Sequence, residues 1–259
     1  MKDFTLDIYQ VLLKELADRG YAFQPFCEFI KNSAKNSIIL RHDVDDLPKN
    51  SLRTAIIENE LGIKGTYYFR ITSNSNQPEI IRSIALLGHE IGYHYEDLAR
   101  CKGNLKEAIK SFQNNLAYFQ QFGPIETICM HGSPLSSYDN RGLWDKYNYR
   151  DFGILAEPYF DLDDKVLYLT DTGRCWDGEK MSVRDKSSYK TYMNKVSFHS
   201  TFDIISAANL NKLPSQIMIT VHPQRWTNNT LSWLKEFYFQ NTKNMIKRLL
   251  IKSMEIKLI

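Results

Sequence analysis

Leu40-Arg41-His42-Asp43-Val44-Asp45-Asp46 closes a short apolar run, Ser37-Ile38-Ile39-Leu40. The run reads as a buried strand, yet it ends in an arginine, a histidine and three carboxylates. Packing gives no reason for such an ending, because ionisable groups buried at one point are costly unless they pair or hold a metal. Asp43 and Asp45 are two residues apart, so on an extended backbone they share one face, and His42 points to the other. Two carboxylates aimed at one spot suit a metal site or an acid/base site. A solvated strand end, or a helix cap before Pro48, is the plainer alternative.

Outward from this stretch, helical and strand patterns alternate. Apolar spacing of three and four runs from Phe4 to Arg19 and stops at Gly20. A helix is expected from Pro48 to Leu61, a strand over Gly65–Ile71, a helix from Pro78 to Leu87 and a strand over Glu90–Tyr95. A long amphipathic helix from Leu105 to Phe122 and a strand over Thr127–His131 follow. Val166–Thr170, Val196–His199 and Gln216–His222 read as further strands, Ser200 or Thr201 as a helix cap, and Leu231–Ile256 as a terminal helix. Alternation of this kind implies parallel strands with right-handed crossovers. For 259 residues without a linker or repeat, the expectation is a single α/β domain built as a closed or nearly closed (β/α) barrel. Residues 1–35 are expected as an N-terminal helical extension and 228–259 as a C-terminal helix.

Barrels of this type gather functional groups at the C-terminal ends of their strands. Asp43 and Asp45, His94, His131 and His222 all fall at or just after such ends. His89 precedes its strand and belongs to the opposite rim, and His42 is expected as a hydrogen-bonded core histidine. Asp171-Thr172-Gly173-Arg174-Cys175-Trp176 and His222-Pro223-Gln224-Arg225-Trp226 combine charge with an indole, as sugar sites do. Arg41, Asp171, Arg174, Trp176, Arg225 and Trp226 are therefore the candidate substrate contacts, with a salt-bridged turn as the alternative. The polar loop Ser133, Ser136, Tyr138, Asp139, Asn140 and Arg141 could line the same pocket.

A net charge of +3 argues against a nucleic-acid partner. No apolar stretch reaches the ~18 residues of a membrane span. Four scattered cysteines without a C-x-x-C pair suit reduced thiols, and with no signal-peptide pattern at the start a cytoplasmic protein is expected. Residues 243–252 are basic and amphipathic and could rest on an anionic membrane, or pack on the barrel with solvated lysines.

Gly88-His89-Glu90-Ile91-Gly92-Tyr93-His94 resembles the G-H-E-I-G-N-H signature of the polysaccharide deacetylases, the NodB-like carbohydrate esterases. Arg41-His42-Asp43-Val44-Asp45 occupies the place of that family's first signature, T-F-D-D-G, and His222 that of its last. The resemblance spans about residues 36–240 and implies a distorted, closed or incomplete (β/α) barrel. It also implies a hydrolase that removes acetyl groups from N-acetylated sugars with a divalent metal, zinc being the first choice. By the resemblance Asp43 matches the catalytic base, His94 the first metal-binding histidine and His222 the acid that protonates the leaving amine. Two family ligands are missing: their places hold Val44 and Leu98. Asp45 would replace the first and His131 the second, with Glu96 and Asp97 as further candidates. The expected substrate is an N-acetylated sugar or glycan precursor of a surface polysaccharide. The alternatives are a metal-free carbohydrate-binding or inactive descendant, and a hydrolase of another amide or an ester.

Overall fold

The computed structural model describes residues 2–132, 136–176 and 198–256. Its elements in chain order are α1 (Leu6–Asp18), β1 (Ala22–Gln24), α2 (Phe26–Lys31), β2 (Ser37–Val44), α3 (Pro48–Glu60), β3 (Thr66–Phe69), α4 (Pro78–Leu86) and β4 (Glu90–Tyr95). They continue with α5 (Asp97–Arg100), α6 (Leu105–Phe119), β5 (Ile128–Met130), α7 (Pro158–Asp161), β6 (Leu167–Thr170), α8 (Thr201–Asn209), β7 (Gln216–Val221) and α9 (Thr230–Ile256). Among the described residues every strand pairing is parallel, in the order β5-β4-β3-β2-β7-β6, and β1 pairs with the first half of β2. The fold is a parallel α/β sheet curled into an incomplete barrel.

The alternation along β2 separates two environments. Ile38 and Leu40 pack with Leu12, Leu13 and Leu16 of α1 and with Ile217 and Ile219 of β7, while Val44 joins Phe69, Tyr93 and Tyr95 in the second large cluster of the helix layer. Ile39 points the other way and meets Phe26, Ala156, Val166 and Met218 in the barrel interior. Two and four residues on, Arg41 and Asp43 therefore enter the same interior. Both faces of β2 are buried along its whole length, as expected of a parallel strand covered on both sides.

The expected barrel is found in its incomplete form, and two other expectations need correction. Among the described residues the sheet does not close: β5 and β6 are its edges, and between them lie a Thr127–Ala156 bridge and a bond from the Ile128 N–H to the Ala156 carbonyl at 3.2 Å. The N-terminal residues are not only helical, since β1 adds its three residues beside Ser37–Ile39. The strand expected at Val196–His199 lies partly outside the described residues, and Phe198 and His199 belong to no strand. Ser200 does cap α8, in a reciprocal capping box with Asp203.

Gly92 explains part of the second motif. In the register Asp43–Tyr68–Gly92, a Cβ at Gly92 would run into the Tyr68 ring. The missing side chain admits Tyr68 to the interior, where its ring lies 5.9 Å from the Arg41 guanidinium and its hydroxyl bonds Thr127 Oγ1 at 2.8 Å.

Candidate active site and metal centre

Asp43 sits at the end of β2, buried against Arg41 of the same strand face. Arg41 donates from Nε to Oδ1 at 2.8 Å and from Nη2 to Oδ2 at 2.6 Å, a two-point clamp of the kind that holds a carboxylate firmly. Burial alone would raise the Asp43 carboxyl, but Arg41 and then His94 hold it well below the usual carboxylate range. Asp43 is thus ionised and oriented. Just past β2 the chain folds back, the Asp45 N–H bonding the Asp43 carbonyl at 3.1 Å. That turn delivers the Asp45 carboxylate to the same rim.

Two histidines face Asp45 Oδ1. His94 at the end of β4 has its Nδ1 2.9 Å from the Cys129 carbonyl. A carbonyl can only accept, so Nδ1 carries the hydrogen and Nε2 presents a lone pair. Nε2 lies 3.6 Å from Asp45 Oδ1 and 3.8 Å from Asp43 Oδ2. Burial first of all, against the pull of both carboxylates, takes the His94 pKa down to about 4, which leaves the ring neutral at pH 7. His131 follows β5, and its backbone is anchored on both sides, by Tyr95 O at 2.8 Å and Asn140 Nδ2 at 2.7 Å. Its Nδ1 lies 3.1 Å from Glu96 Oε2 and its Nε2 3.5 Å from Asp45 Oδ1. Arg70 Nη2 in turn bonds Glu96 at 2.8 Å. Burial opposes ionisation of Glu96, but the His131 and Arg70 bonds hold its pKa at about 2. A carboxylate behind a histidine in this way fixes the ring and strengthens its outer nitrogen as a ligand.

Asp45 Oδ1 is buried and has no hydrogen-bond donor. It faces the lone pair of His94 Nε2, with His131 Nε2 beside them, so two acceptors converge at one point and need a positive charge between them. A cation meets that need. Donor atoms bound to one ion at about 2.0–2.2 Å lie roughly 3–4 Å apart, and the two separations here are 3.5 and 3.6 Å. By donor type Asp45, His94 and His131 therefore suit a divalent ion with mixed N/O ligation. Among the described residues, the trio whose ligand atoms all lie within 4.8 Å of one another is Asp43, His94 and Cys129. That grouping is the poorer holder, since Arg41 occupies both Asp43 oxygens. Val44 and Leu98, at the family's missing ligand positions, both turn into the helix layer.

His222 closes the other side, its Nε2 3.9 Å from Asp45 Oδ2. Its Nδ1 bonds Asp171 Oδ1 at 2.6 Å and its own N–H bonds Asp171 Oδ2 at 2.9 Å. Asp171 also accepts from Arg225 Nη1 at 2.6 Å and Trp226 Nε1 at 2.8 Å. Burial alone would raise its carboxyl, but Arg225 and His222 hold it below the usual range.

The structure thus brings Asp43, Asp45, His94, His131 and His222 to one rim, and it relocates the expected substrate contacts. Arg41 is spent on Asp43. Asp171, Arg225 and Trp226 stand behind His222, all buried by their mutual bonds. Trp176 lies in the core, its Nε1 on Thr201 Oγ1 at 3.0 Å. Arg174 stacks over Phe4 and Trp233, each 4.8 Å from the ring centroid. All six are engaged with their neighbours, with Arg41 Nη1 and Arg225 Nε left as buried donors without a hydrogen-bond partner: in this chain the charge-plus-indole motifs build supports behind the rim. Ser133 of the polar loop lies outside the described residues, while Asn140 holds His131 and Asp139 pairs with Arg141. Asp97 faces Tyr93, Ser111 and Asn115 instead of the rim. Sequence reasoning missed the part played by Glu96 and Arg70 behind His131. The available signal was an acid two residues beyond a strand-end histidine.

His42 and His89 are structural, as expected. His42 Nε2 lies 2.9 Å from Glu58, which also accepts from Tyr9 and Tyr67, and His89 sits between Gly65 N and the Ala55 carbonyl. All four cysteines are free thiols.

No protein-family model and no curated protein matches this sequence. Solved structures of similar fold exist at low identity. One is a CE4 family pseudoenzyme from Bacillus anthracis, 12% identical with a TM-score of 0.45, covering 83% of this chain, which spans 63% of that structure's length. Another is a peptidoglycan N-acetylglucosamine deacetylase, 17% identical with a TM-score of 0.44 over 86% of this chain and 87% of the other. The peptidoglycan deacetylase PdaC from Bacillus subtilis is 13% identical with a TM-score of 0.42, over 87% of this chain and 98% of its own. Two of these three are thus peptidoglycan deacetylases and one is a CE4 family pseudoenzyme.

Proposed function

We propose that this protein is a metal-dependent hydrolase that removes an acetyl group from an N-acetylated sugar, a precursor or component of a surface polysaccharide. One observation carries the reading: an orphaned buried carboxylate oxygen, Asp45 Oδ1, faces two imidazole nitrogens, with an Arg-clamped aspartate on one side and an Asp-backed histidine on the other. Asp45, His94 and His131 would hold the divalent ion, with zinc as the first choice. When bound, such an ion polarises an amide carbonyl and lowers the pKa of water towards ~7.

The chain's own residues supply the rest. Asp43 is the proton acceptor for the attacking water. The Arg41 clamp keeps it ionised and aims its remaining lone pairs at the rim. His222 is the proton donor to the departing nitrogen, because an amide ion is too poor a leaving group to depart unprotonated. The Asp171 bond holds the hydrogen of His222 on Nδ1, so that Nε2 faces the site, and stabilises the imidazolium before transfer. The acetylated-sugar substrate rests on the motif resemblance.

The test is acetate release from free, nucleotide-linked and lipid-linked N-acetylated sugars by metal-reconstituted protein, beside simple amides and esters. Release from a sugar amide that is abolished in Asp43→Asn supports the reading. Stoichiometric sugar binding with no metal uptake and no acetate would replace it with a metal-free carbohydrate-binding protein. Turnover of simple amides or esters alone would replace it with a hydrolase of another bond.

A further inference from the structure

α9, Thr230–Ile256, is 27 residues long, or about 40 Å. Its amphipathicity is inverted where it packs on the barrel. Gln240 and Asn244 are buried, 5% and 7% exposed, bond each other at 2.7 Å, and Asn244 Nδ2 donates to the Gly173 carbonyl at 2.9 Å. Trp233 shares that inward side, its Nε1 on the Asp3 carbonyl at 2.7 Å. The outward side is apolar. Leu231, Leu234, Tyr238 and Met245 are 78%, 37%, 67% and 59% exposed. Steps of three, four and seven residues put them in one stripe along the helix. A helix that turns amides inward and a leucine–tyrosine–methionine row outward, interrupted by Asn241 and Thr242, leaves large apolar side chains uncovered in water, and an exposed row of this kind marks a contact surface.

Charge identifies what covers it. Residues 230–259 contain six Lys or Arg against two Glu, whereas the other 229 residues contain 27 Lys or Arg against 28 Asp or Glu. The whole positive excess of the chain is therefore carried by its last 30 residues. An apolar stripe on a basic helix is the pattern of helices that lie in the headgroup region of anionic bilayers. No helix among the described residues is long and apolar enough to cross a membrane, so the contact is peripheral. We propose that α9 docks the protein on an anionic membrane surface, with the Leu231–Leu234–Tyr238–Met245 stripe entering the headgroup layer and Lys235 and Lys243 meeting lipid charge. This surface shares no residue with the metal site, so its failure would leave the hydrolase reading untouched.

The experiment is flotation of the full chain with vesicles of one part phosphatidylglycerol to two parts phosphatidylcholine, or of phosphatidylcholine alone, at low and high salt. The proposal expects at least about tenfold more protein on the anionic vesicles, reduced by salt. Combined Leu231→Ser, Leu234→Ser and Tyr238→Ser should lower that binding about tenfold or more without changing the circular dichroism, since all three side chains are exposed. Should that variant misfold, Lys235→Glu with Lys243→Glu provides the same reading through charge alone. Absence of flotation, or equal flotation on neutral vesicles, overturns the proposal. So does a concentration-dependent dimer that the triple serine variant dissolves, which would make a second copy the partner of the stripe.

Discussion

Asp171 accepts from both the ring and the backbone of His222, Nδ1 at 2.6 Å and N at 2.9 Å, so one buried carboxylate sets the orientation and the tautomer of that histidine together. Asp171→Asn would offer an amide hydrogen in place of a lone pair and flip the tautomer. Acetate release should fall by about 10³–10⁴. Binding of an acetylated sugar, measured by calorimetry, should change little. An Asn variant with normal turnover would remove His222 from the proposed acid role.

Arg41 and Asp43 are each other's main partners, and both are buried. Asp43→Leu leaves a guanidinium without its counter-charge, and denaturant melts should show a loss of about 3–5 kcal/mol. Arg41→Met combined with Asp43→Leu removes both charges and should recover much of that loss. Activity should be absent from both variants. Equal stability of the single and the double variant would mean that the clamp contributes no coupling.

Metal content offers a direct measurement. Reconstituted protein should hold one zinc per chain by elemental analysis, and Asp45→Ala or His131→Ala should lose it. Glu96→Gln touches no ion in this scheme, yet it loosens His131 and should lower zinc affinity about 10–100-fold. Unchanged affinity in Glu96→Gln with loss in His131→Ala would confine the site to its direct ligands.

Stability should peak in mildly acid solution. The Glu157 carboxyl is pushed up to about 8, by burial first and against the Met130 N–H and Arg41. The fold keeps its proton, whereas the unfolded chain releases it near the ordinary value of 4.5. This contribution is fully present below that value and is lost as pH rises to about 8. Burial raises Glu90 and Asp97 too, and they add to the same slope. Glu58 and Asp171 act in the opposite sense. Burial would raise both, but His42 holds the first and Arg225 the second below the usual range. Their stabilisation is complete above the unfolded carboxylate range and disappears as pH falls through it. Melting temperature should therefore be highest near pH 5, about where both losses are smallest. Glu157→Gln should flatten the alkaline side; an unchanged slope would show that Glu157 is already ionised in the fold.

Gly92→Ala sets a methyl against the Tyr68 ring beside Arg41. Overpacking should cost about 1–3 kcal/mol and reduce activity by moving the clamp. Adding Tyr68→Leu should restore part of the stability, and a stable, fully active Gly92→Ala would show that the ring has room to move.

The periodicities of this chain determine its parallel architecture, and strand-end positions alone place Asp43, Asp45, His94, His131 and His222 on one rim. These are local consequences of residue spacing, since a period-two strand sends alternate side chains to opposite faces whatever lies elsewhere. Asp43 and His42 were separable on that ground before any contact was known. Tertiary structure alone decided what each charge is matched against. Asp171 and Trp226 are 55 residues apart and Glu96 and His131 are 35 apart, so no spacing rule announces that they meet. The same Asp, Arg and Trp types that would bind a sugar on an open loop become a buried support when the fold sets a histidine in front of them, because a carboxylate removed from water must be saturated by donors. The open edge between β5 and β6 has a similar origin: whether a sheet closes depends on its accumulated twist and on what fills the gap, neither of which a strand pattern records.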